Sequence, residues 1–140
     1  MFKKSIYIVL FCLSTFASEI AIVKNITGKT DVKRADKIIP LQKGFKLKEG
    51  DIIITKAKSS IGIMFKDGTR ISLGSKTIFS INKYLFRPQT NEYNIDLKMD
   101  KGKAAFSSGK IGKLSPKSVK FRIPQGIVGI RGTRFLAEVK

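Results

Sequence analysis

The chain has 140 residues, with 28 Lys and Arg against 10 Asp and Glu, which gives a formal net charge of +18 at pH 7. This length suits one domain rather than two. The chain has no His and a single Cys, Cys12, so its composition excludes Ser-His-Asp triads, Cys-His pairs and nearly all zinc sites.

The first 17 residues have the order of a secretory signal peptide. A basic start at residues 1–4 precedes an apolar stretch at residues 6–16 that is too short to span a bilayer. Thr15-Phe16-Ala17 approximates a small-x-small cleavage signal, so we expect a signal helix that is cut after Ala17. A hydrophobic N-terminal strand or an uncleaved anchor is the alternative.

Removal of this segment leaves residues 18–140 as the expected domain. Phe11 stands directly before Cys12, where a lipoprotein signal needs a small residue, so we do not expect lipidation. The remaining residues contain no Cys, and the loss of two lysines lowers the net charge to +16. An exported domain without disulfides must be stabilised by a hydrophobic core.

Alternating apolar residues in this domain predict short β-strands separated by turn residues. The predicted strands cover residues 20–24, 30–34, 45–47, 52–55, 61–65, 71–73, 77–82, 93–97, 104–106, 119–123 and 135–139. The β-branched run at residues 52–55 predicts a strand buried on both faces. Turn signals recur about every 8 to 12 residues, which is typical of an all-β sandwich or barrel.

The sharpest local signal is the Asp67-Gly68 pair, which lies between the alternating runs 61–65 and 71–73. An Asp-Gly pair in this setting predicts a β-hairpin with a type I′ turn, because both residues tolerate a positive φ.

Several other stretches predict turns or loops. Residues 86–92 and 107–118 predict loops, and Lys101-Gly102-Lys103 predicts a chain reversal. Pro124 ends the strand before it. Outside the signal, no segment has a convincing helical period.

The sequence offers little for catalysis. Ser-Lys neighbours occur at residues 75–76 and 107–110, but adjacent side chains in a strand point to opposite faces. The ten acids lie mostly at turns and give no paired carboxylates or calcium loop. The glycines of residues 126–132 resemble a nucleotide fingerprint, yet the sequence predicts no helix after them. We therefore interpret them as bulges or close approaches in a sheet.

Five stretches together resemble the FecR domain. They are ITGKTDVKR, LQKGFKLKEGDIIIT, SSIGIMFKDGTRISLGSKT, DKGKAAFSSGK and FRIPQGIVGIRGTRFLAEV, which span about residues 22–139 in the family's order. The matching motif residues are expected to hold the fold rather than to react. They are Gly50, Asp51, Phe65, Asp67, Gly68, Gly102, Ser108, Gly109, Pro124, Gly129, Arg131, Gly132, Thr133 and Phe135.

The resemblance implies an all-β, single compact domain of short antiparallel strands, sandwich-like or barrel-like, with solenoid-like coiling as a variant. Its best-known members are sensors in which a cytoplasmic anti-sigma segment and a transmembrane helix precede this periplasmic module. Here a signal peptide stands where the anti-sigma segment is expected. We therefore carry over the domain, but neither sigma-factor regulation nor iron uptake.

Two functions stay open at this point, neither of them enzymatic. The first is a periplasmic module that binds or senses another envelope protein through its loops, with Arg87, Lys110, Lys113 and Lys117 as candidate contacts. The second is a binder of anionic lipid head groups or lipopolysaccharide. We expect no cofactor and no nucleic acid, and the oligomeric state is left open. Location at the cell surface or secretion is the alternative to the periplasm.

Arg131 lies among the apolar and glycine residues near the end of the chain. Its planar fork could face solvent as part of an anion site, or fold inward onto a carboxylate. We favour the inward reading, with Asp51 or Asp67 as partner, because an Arg amid apolar neighbours is usually satisfied in this way.

Overall fold

The computed structural model describes residues 18–130 and 134–140, which form twelve strands and one short helix. The strands are β1 (Glu19–Thr27), β2 (Thr30–Arg34), β3 (Lys37–Pro40), β4 (Lys46–Lys48), β5 (Ile52–Thr55), β6 (Ser60–Phe65), β7 (Arg70–Leu73), β8 (Ile78–Arg87), β9 (Glu92–Ser107), β10 (Val119–Ile123), β11 (Gly126–Val128) and β12 (Arg134–Val139). The helix α1 is Lys110–Leu114, and 3₁₀ turns cover Pro88–Thr90 and Pro116–Ser118. The all-β prediction is confirmed, while the predicted signal helix lies outside the described residues.

The twelve strands belong to one sheet, which curls into a half-barrel with β9 at its centre. The first half of β9 pairs with β8 and β10, and its second half pairs with β7 and β12. Every pair is antiparallel except β9 and β10, which run parallel with Val119 opposite Ile95. The prediction of antiparallel strands is wrong for this pair. The chain crosses back to the start of β9 before β10 begins, and such a crossover makes neighbouring strands parallel.

The sheet bends along one line, which we call the corner. Four stretches of chain, which we call paths, cross this line. β1 leads into β2, β5 into β6 and β7 into β8, and these paths lie side by side. The fourth path is β9, which continues past Gly102 without a break. The predicted reversal at residues 101–103 is therefore wrong. Gly102 has a φ of +108°, and a Cβ on it would lie 2.5 Å from the Cα of Thr77, so only glycine fits here.

Hydroxyl side chains bind the backbone where the paths bend at the corner. The N–H of Thr77 donates to Thr55 Oγ1 at 2.9 Å, and the N–H of Lys103 donates to Thr77 Oγ1 at 3.1 Å. The hydroxyl of Ser75 donates to the carbonyl of Ser59 at 3.1 Å and accepts the N–H of Ser59 at 3.2 Å. These bonds satisfy backbone groups that a regular ladder would otherwise pair.

The inner face of the half-barrel holds the apolar core. Its largest fully buried side chains come from both sides of the corner and from α1, and they are Leu47, Ile53, Ile61, Ile71, Leu73, Phe79, Ile81, Ile95, Leu97, Met99, Ile111 and Phe121. β5 alternates, with Ile53 buried and both Ile52 and Ile54 partly exposed. The prediction that this strand is buried on both faces is wrong, because only one face of the curled sheet meets the core.

The predicted β6–β7 hairpin is present, but its turn is of another type. The N–H of Gly68 donates to the carbonyl of Phe65 at 3.0 Å, and the N–H of Phe65 donates to the carbonyl of Thr69 at 2.8 Å. Within the turn only Gly68 has a positive φ, of +89°. This is a type I turn closed by a glycine bulge, and the type I′ prediction is wrong.

Two predicted loops are more regular than expected. Of residues 86–92, only the 3₁₀ turn at Pro88–Thr90 and Asn91 lie between β8 and β9. Residues 107–118 contain α1, which the sequence did not predict because five residues are too few to show a helical period.

Candidate functional site

The buried carboxylate of Asp67 is the centre of the most connected polar cluster in the described residues. Its Oδ1 accepts the hydroxyl of Tyr84 at 2.7 Å and the N–H of Thr69 at 3.3 Å. Its Oδ2 accepts the hydroxyl of Thr69 at 2.7 Å and the N–H of Ile111 at 3.1 Å. Asp67 is only 2% exposed. A buried carboxylate is tolerated when donors surround it, and four do so here. We call Asp67, Thr69, Tyr84 and the backbone of residues 109–111 the Asp67 cluster.

The backbone of the Asp67 cluster joins the hairpin turn to the start of α1. The N–H of Lys110 donates to the carbonyl of Asp67 at 2.9 Å, and the N–H of Gly109 donates to Thr69 Oγ1 at 3.2 Å. A Cβ on Gly109 would collide with the carbonyl oxygen of Asp67, so the close contact requires glycine. Ile111 then buries its side chain completely in the core. The start of the loop-like stretch is thus tied to the sheet.

Tyr84 connects this cluster to the other side of the core. Its ring stacks on Phe65 with centroids 5.0 Å apart, and its hydroxyl also accepts the N–H of Asp67 at 2.9 Å. Burial first, and the bond to Asp67 second, raise the pKa of Tyr84 far above its ordinary value of 10. The phenol therefore stays neutral and acts as a fixed donor.

We call residues 107–117 the basic segment, and its outer surface is the candidate contact site. Lys110, Lys113 and Lys117 are all exposed. Leu114 is 61% exposed although it is apolar, and it lies four positions after Lys110, a spacing that places two helical side chains side by side. The segment therefore presents an apolar side chain among cations on a backbone fixed at its start.

The fourth predicted contact, Arg87, lies at the end of β8. It forms an ion pair with Glu92 across the β8–β9 hairpin at 3.6 Å, and both side chains are well exposed. The end of the basic segment leads into Val119, which pairs with Ile95 near the same end of β9. Arg87 and the end of the basic segment thus lie near the same end of β9.

The second buried acid, Asp51, is paired with an arginine that the sequence did not single out. Arg34 binds it in a bidentate manner, with Nε 2.9 Å from Oδ1 and a terminal nitrogen 2.8 Å from Oδ2. The N–H of Lys48 also donates to Asp51 at 2.8 Å, and the guanidinium lies 5.3 Å from the Phe45 ring centre. The bond to Asp51 raises the pKa of Arg34. Asp51 thus has a cationic partner, whereas Arg131, its predicted partner, lies outside the described residues.

The remaining motif residues have varied environments. Phe135 stacks on Phe106 at 4.8 Å, Pro124 begins the turn between β10 and β11, and Gly50 precedes β5 with a φ of +90°. Gly129 has open space around it and no positive φ, so the prediction of a bulge or close approach is wrong there. Ser108 lies directly before Gly109, between β9 and α1. Gly132 and Thr133, like Arg131, lie outside the described residues.

Ser75 and Lys76, the first Ser-Lys pair, have structural environments. The hydroxyl of Ser75 is bonded to the backbone of Ser59 at the corner, while Lys76 sits in a left-handed conformation with a φ of 52°. Within residues 18–130 and 134–140, no three His, Cys, Asp or Glu side chains are grouped to hold a metal ion. In the same part of the chain, no helix has the length and apolar character needed to cross a membrane.

Thr69, Tyr84, Arg34 and Leu114 are the site residues that sequence reasoning missed. Thr69 directly follows Asp67-Gly68, so the local signal was present. Tyr84 and Arg34 each lie 17 positions from the acid that they bind, a separation for which a single sequence gives no rule.

A family model described as FecR protein matches residues 51–140 of the chain. Comparisons with curated proteins and with solved structures give no match. The matched range begins at Asp51 and contains both the Asp67 cluster and the basic segment.

Proposed function

The chain belongs to the FecR family, whose domain is associated with signalling at the cell envelope, and on this basis we propose that it is a non-catalytic module that binds an envelope protein. The observation that carries the proposal is the basic segment, whose loop-like sequence is tied to the sheet by the Asp67 cluster. A segment that is already ordered loses less conformational entropy on binding, so preorganisation favours contact with a partner.

The chemistry of the basic segment favours one kind of partner surface. Leu114 can enter an apolar pocket, and the neighbouring Lys110, Lys113 and Lys117 favour carboxylates around that pocket. The partner surface we propose is therefore apolar at its centre and acidic at its rim. The net charge of the chain speeds encounter with such a surface.

Structural use of the polar groups supports a non-catalytic role. Asp51 and Asp67 are both buried, and each is surrounded by donors that hold the fold. Ser75 has its hydroxyl bonded to the backbone at the corner. None of these three groups is free to abstract a proton from a substrate or to attack one.

The periplasmic location remains part of the proposal and depends on the first 17 residues. The test is N-terminal sequencing of the protein taken from the periplasmic fraction of the native cells. We expect a mature chain that begins at Ser18. Recovery only from the cytoplasm, with Met1 in place, would contradict it.

Photo-crosslinking tests the contact surface directly. A photoreactive amino acid replaces Leu114 in intact cells, and a matched control replaces Ile38, which is 63% exposed on β3. We expect a reproducible protein adduct from position 114 and none from position 38. The triple change Lys110→Gln, Lys113→Gln and Lys117→Gln should reduce that adduct. The control removes the same charge elsewhere, on β2, on β3 and in the loop after them. This triple change, Lys33→Gln, Lys37→Gln and Lys43→Gln, should leave the adduct unchanged.

A second candidate function is favoured by the same exposed lysines. An apolar side chain beside lysines also suits an anionic lipid surface. Under this alternative, position 114 yields lipid adducts, and the purified protein binds vesicles that contain anionic lipid, with an affinity that falls steeply as salt rises. Absence of both protein and lipid adducts at position 114 would contradict both functions.

A further inference from the structure

Among the described residues, four strands form edges of the sheet: β3, β4, β11 and β12. Three of them have features that discourage pairing, since β4 and β11 have only three residues each and β3 carries Lys37 and Pro40. β12 has six residues without Lys or Pro, and Leu136 near its middle is 85% exposed. Edge strands of this kind are templates for another strand.

Backbone geometry shows which residues of β12 face its free edge. The backbone carbonyl of Lys103 in β9 points to the β7 side, where it accepts the N–H of Gly74 at 2.9 Å. Because successive residues direct their backbone groups to opposite sides, Ala104 directs its groups to β12, where it lies opposite Ala137. It follows that residues 134, 136 and 138 direct their N–H and C=O groups away from β9, to the free edge.

The exposed side chains of these same residues have a self-complementary order. Arg134 lies two positions before Leu136, and Glu138 lies two positions after it. Within residues 18–130 and 134–140, neither charge has an ion-pair partner within 4.0 Å. An antiparallel copy of the strand, centred on Leu136, would place each arginine opposite a glutamate.

We propose that two copies of this chain pair through β12, antiparallel, about a two-fold axis at Leu136. Arg134 then faces Glu138 of the second copy, and Leu136 faces its own equivalent. Facing residues that direct their backbone groups to each other exchange two hydrogen bonds, so the three facing pairs form about six. The two outer faces lie on the same side, which makes one continuous sheet across the dimer.

Charge pattern distinguishes a second copy from an unrelated strand. An unrelated strand gains the backbone bonds alone, whereas a copy in this register also satisfies both charges and pairs the leucines. The high net charge of each copy opposes association, so the dimer is measured at physiological salt, where the Debye length is about 8 Å. This inference goes beyond the proposed function, since it does not involve the basic segment.

Charge reversal followed by sedimentation equilibrium tests the register. Arg134→Glu alone, or Glu138→Arg alone, places like charges opposite each other and should weaken the dimer roughly tenfold or more. The double variant, Arg134→Glu with Glu138→Arg, should restore it. An equimolar mixture of the two single variants should form a mixed dimer, because each then supplies the charge that the other lacks. Circular dichroism confirms that each variant is folded.

A disulfide test provides a second readout. In a Cys12→Ser background, Leu136→Cys places two thiols across the axis at a Cα separation of about 5.5 Å, within disulfide range. We expect rapid formation of a covalent dimer on oxidation. The matched control, Ile127→Cys on the β11 edge, is also well exposed and should not crosslink in this way. A monomer at all concentrations would overturn the proposal, as would a dimer whose affinity is unchanged by both charge reversals.

Discussion

Removal of one hydroxyl, through Tyr84→Phe, tests whether the Asp67 cluster holds the fold and the basic segment together. The change leaves the N–H of Asp67 without its partner and takes one of two donors from Oδ1. A buried unpaired group costs about 1–3 kcal/mol, and a hydrogen bond to a charged group contributes about 1.5–3 kcal/mol. These two terms overlap, so we expect a loss of about 3 kcal/mol in the free energy of unfolding. This corresponds to a fall in Tm of about 12 °C for a domain of this size.

Urea unfolding followed by circular dichroism measures this loss, and Tyr93→Phe is the matched control. Tyr93 is partly exposed, and its hydroxyl makes no side-chain hydrogen bond among the described residues, so the same chemical change should have little effect. Amide hydrogen exchange adds a local readout, because the N–H of Ile111 bonds to the same carboxylate and should exchange faster in Tyr84→Phe. Equal stability of the two variants, with unchanged exchange at Ile111, would refute this account of the cluster.

Three further predictions concern the corner and the ion pairs. Gly102→Ala should lower the free energy of unfolding by several kcal/mol because its Cβ has no space, whereas Gly129→Ala, measured in the same urea titration, should be nearly neutral. Arg34→Ala leaves the buried carboxylate of Asp51 without its cationic partner and should lower the free energy of unfolding by about 3 kcal/mol in the same titration. An unchanged free energy would exclude the pair as a stabilising contact. Arg122 donates from Nε to Oδ1 of Asp96 at 2.8 Å and from a terminal nitrogen to Oδ2 at 3.1 Å. These bonds lower the pKa of Asp96, so the stability that Asp96→Asn removes should be present above about pH 3.8 and vanish as the pH falls through the folded pKa.

Short-range patterns predicted the strands well, because apolar residues at every second position lie on the face of the strand that meets the core. Ile61, Ile63 and Phe65 are all buried as expected, and Met64 between the last two is partly exposed. The continuous apolar run of β5 wrongly predicted burial of both faces, since consecutive apolar residues do not show whether a second layer covers the other face. Alternation therefore identifies a strand, but only the assembled sheet shows how many of its faces are buried.

Long-range contacts account for the errors at turns. The Asp-Gly pair correctly predicted a reversal, but Asp67 keeps a negative φ in a conformation that lets its carboxylate bind Tyr84 and Ile111. Gly102 between two lysines looks like a turn locally, and only the approach of Thr77 explains why a continuous strand needs glycine there. Both errors come from partners far away in sequence.

Three of the motif residues, Asp51, Asp67 and Gly109, are poor candidates for partner recognition. Asp51 and Asp67 are buried and bound within the fold, and Gly109 lies against the hairpin backbone. A buried side chain cannot distinguish one partner from another. We propose that specificity comes from exposed positions, such as Leu114 in the basic segment and Leu136 at the β12 edge. On this proposal, the motif identifies the domain, and the choice of partner depends on residues that the motif does not specify.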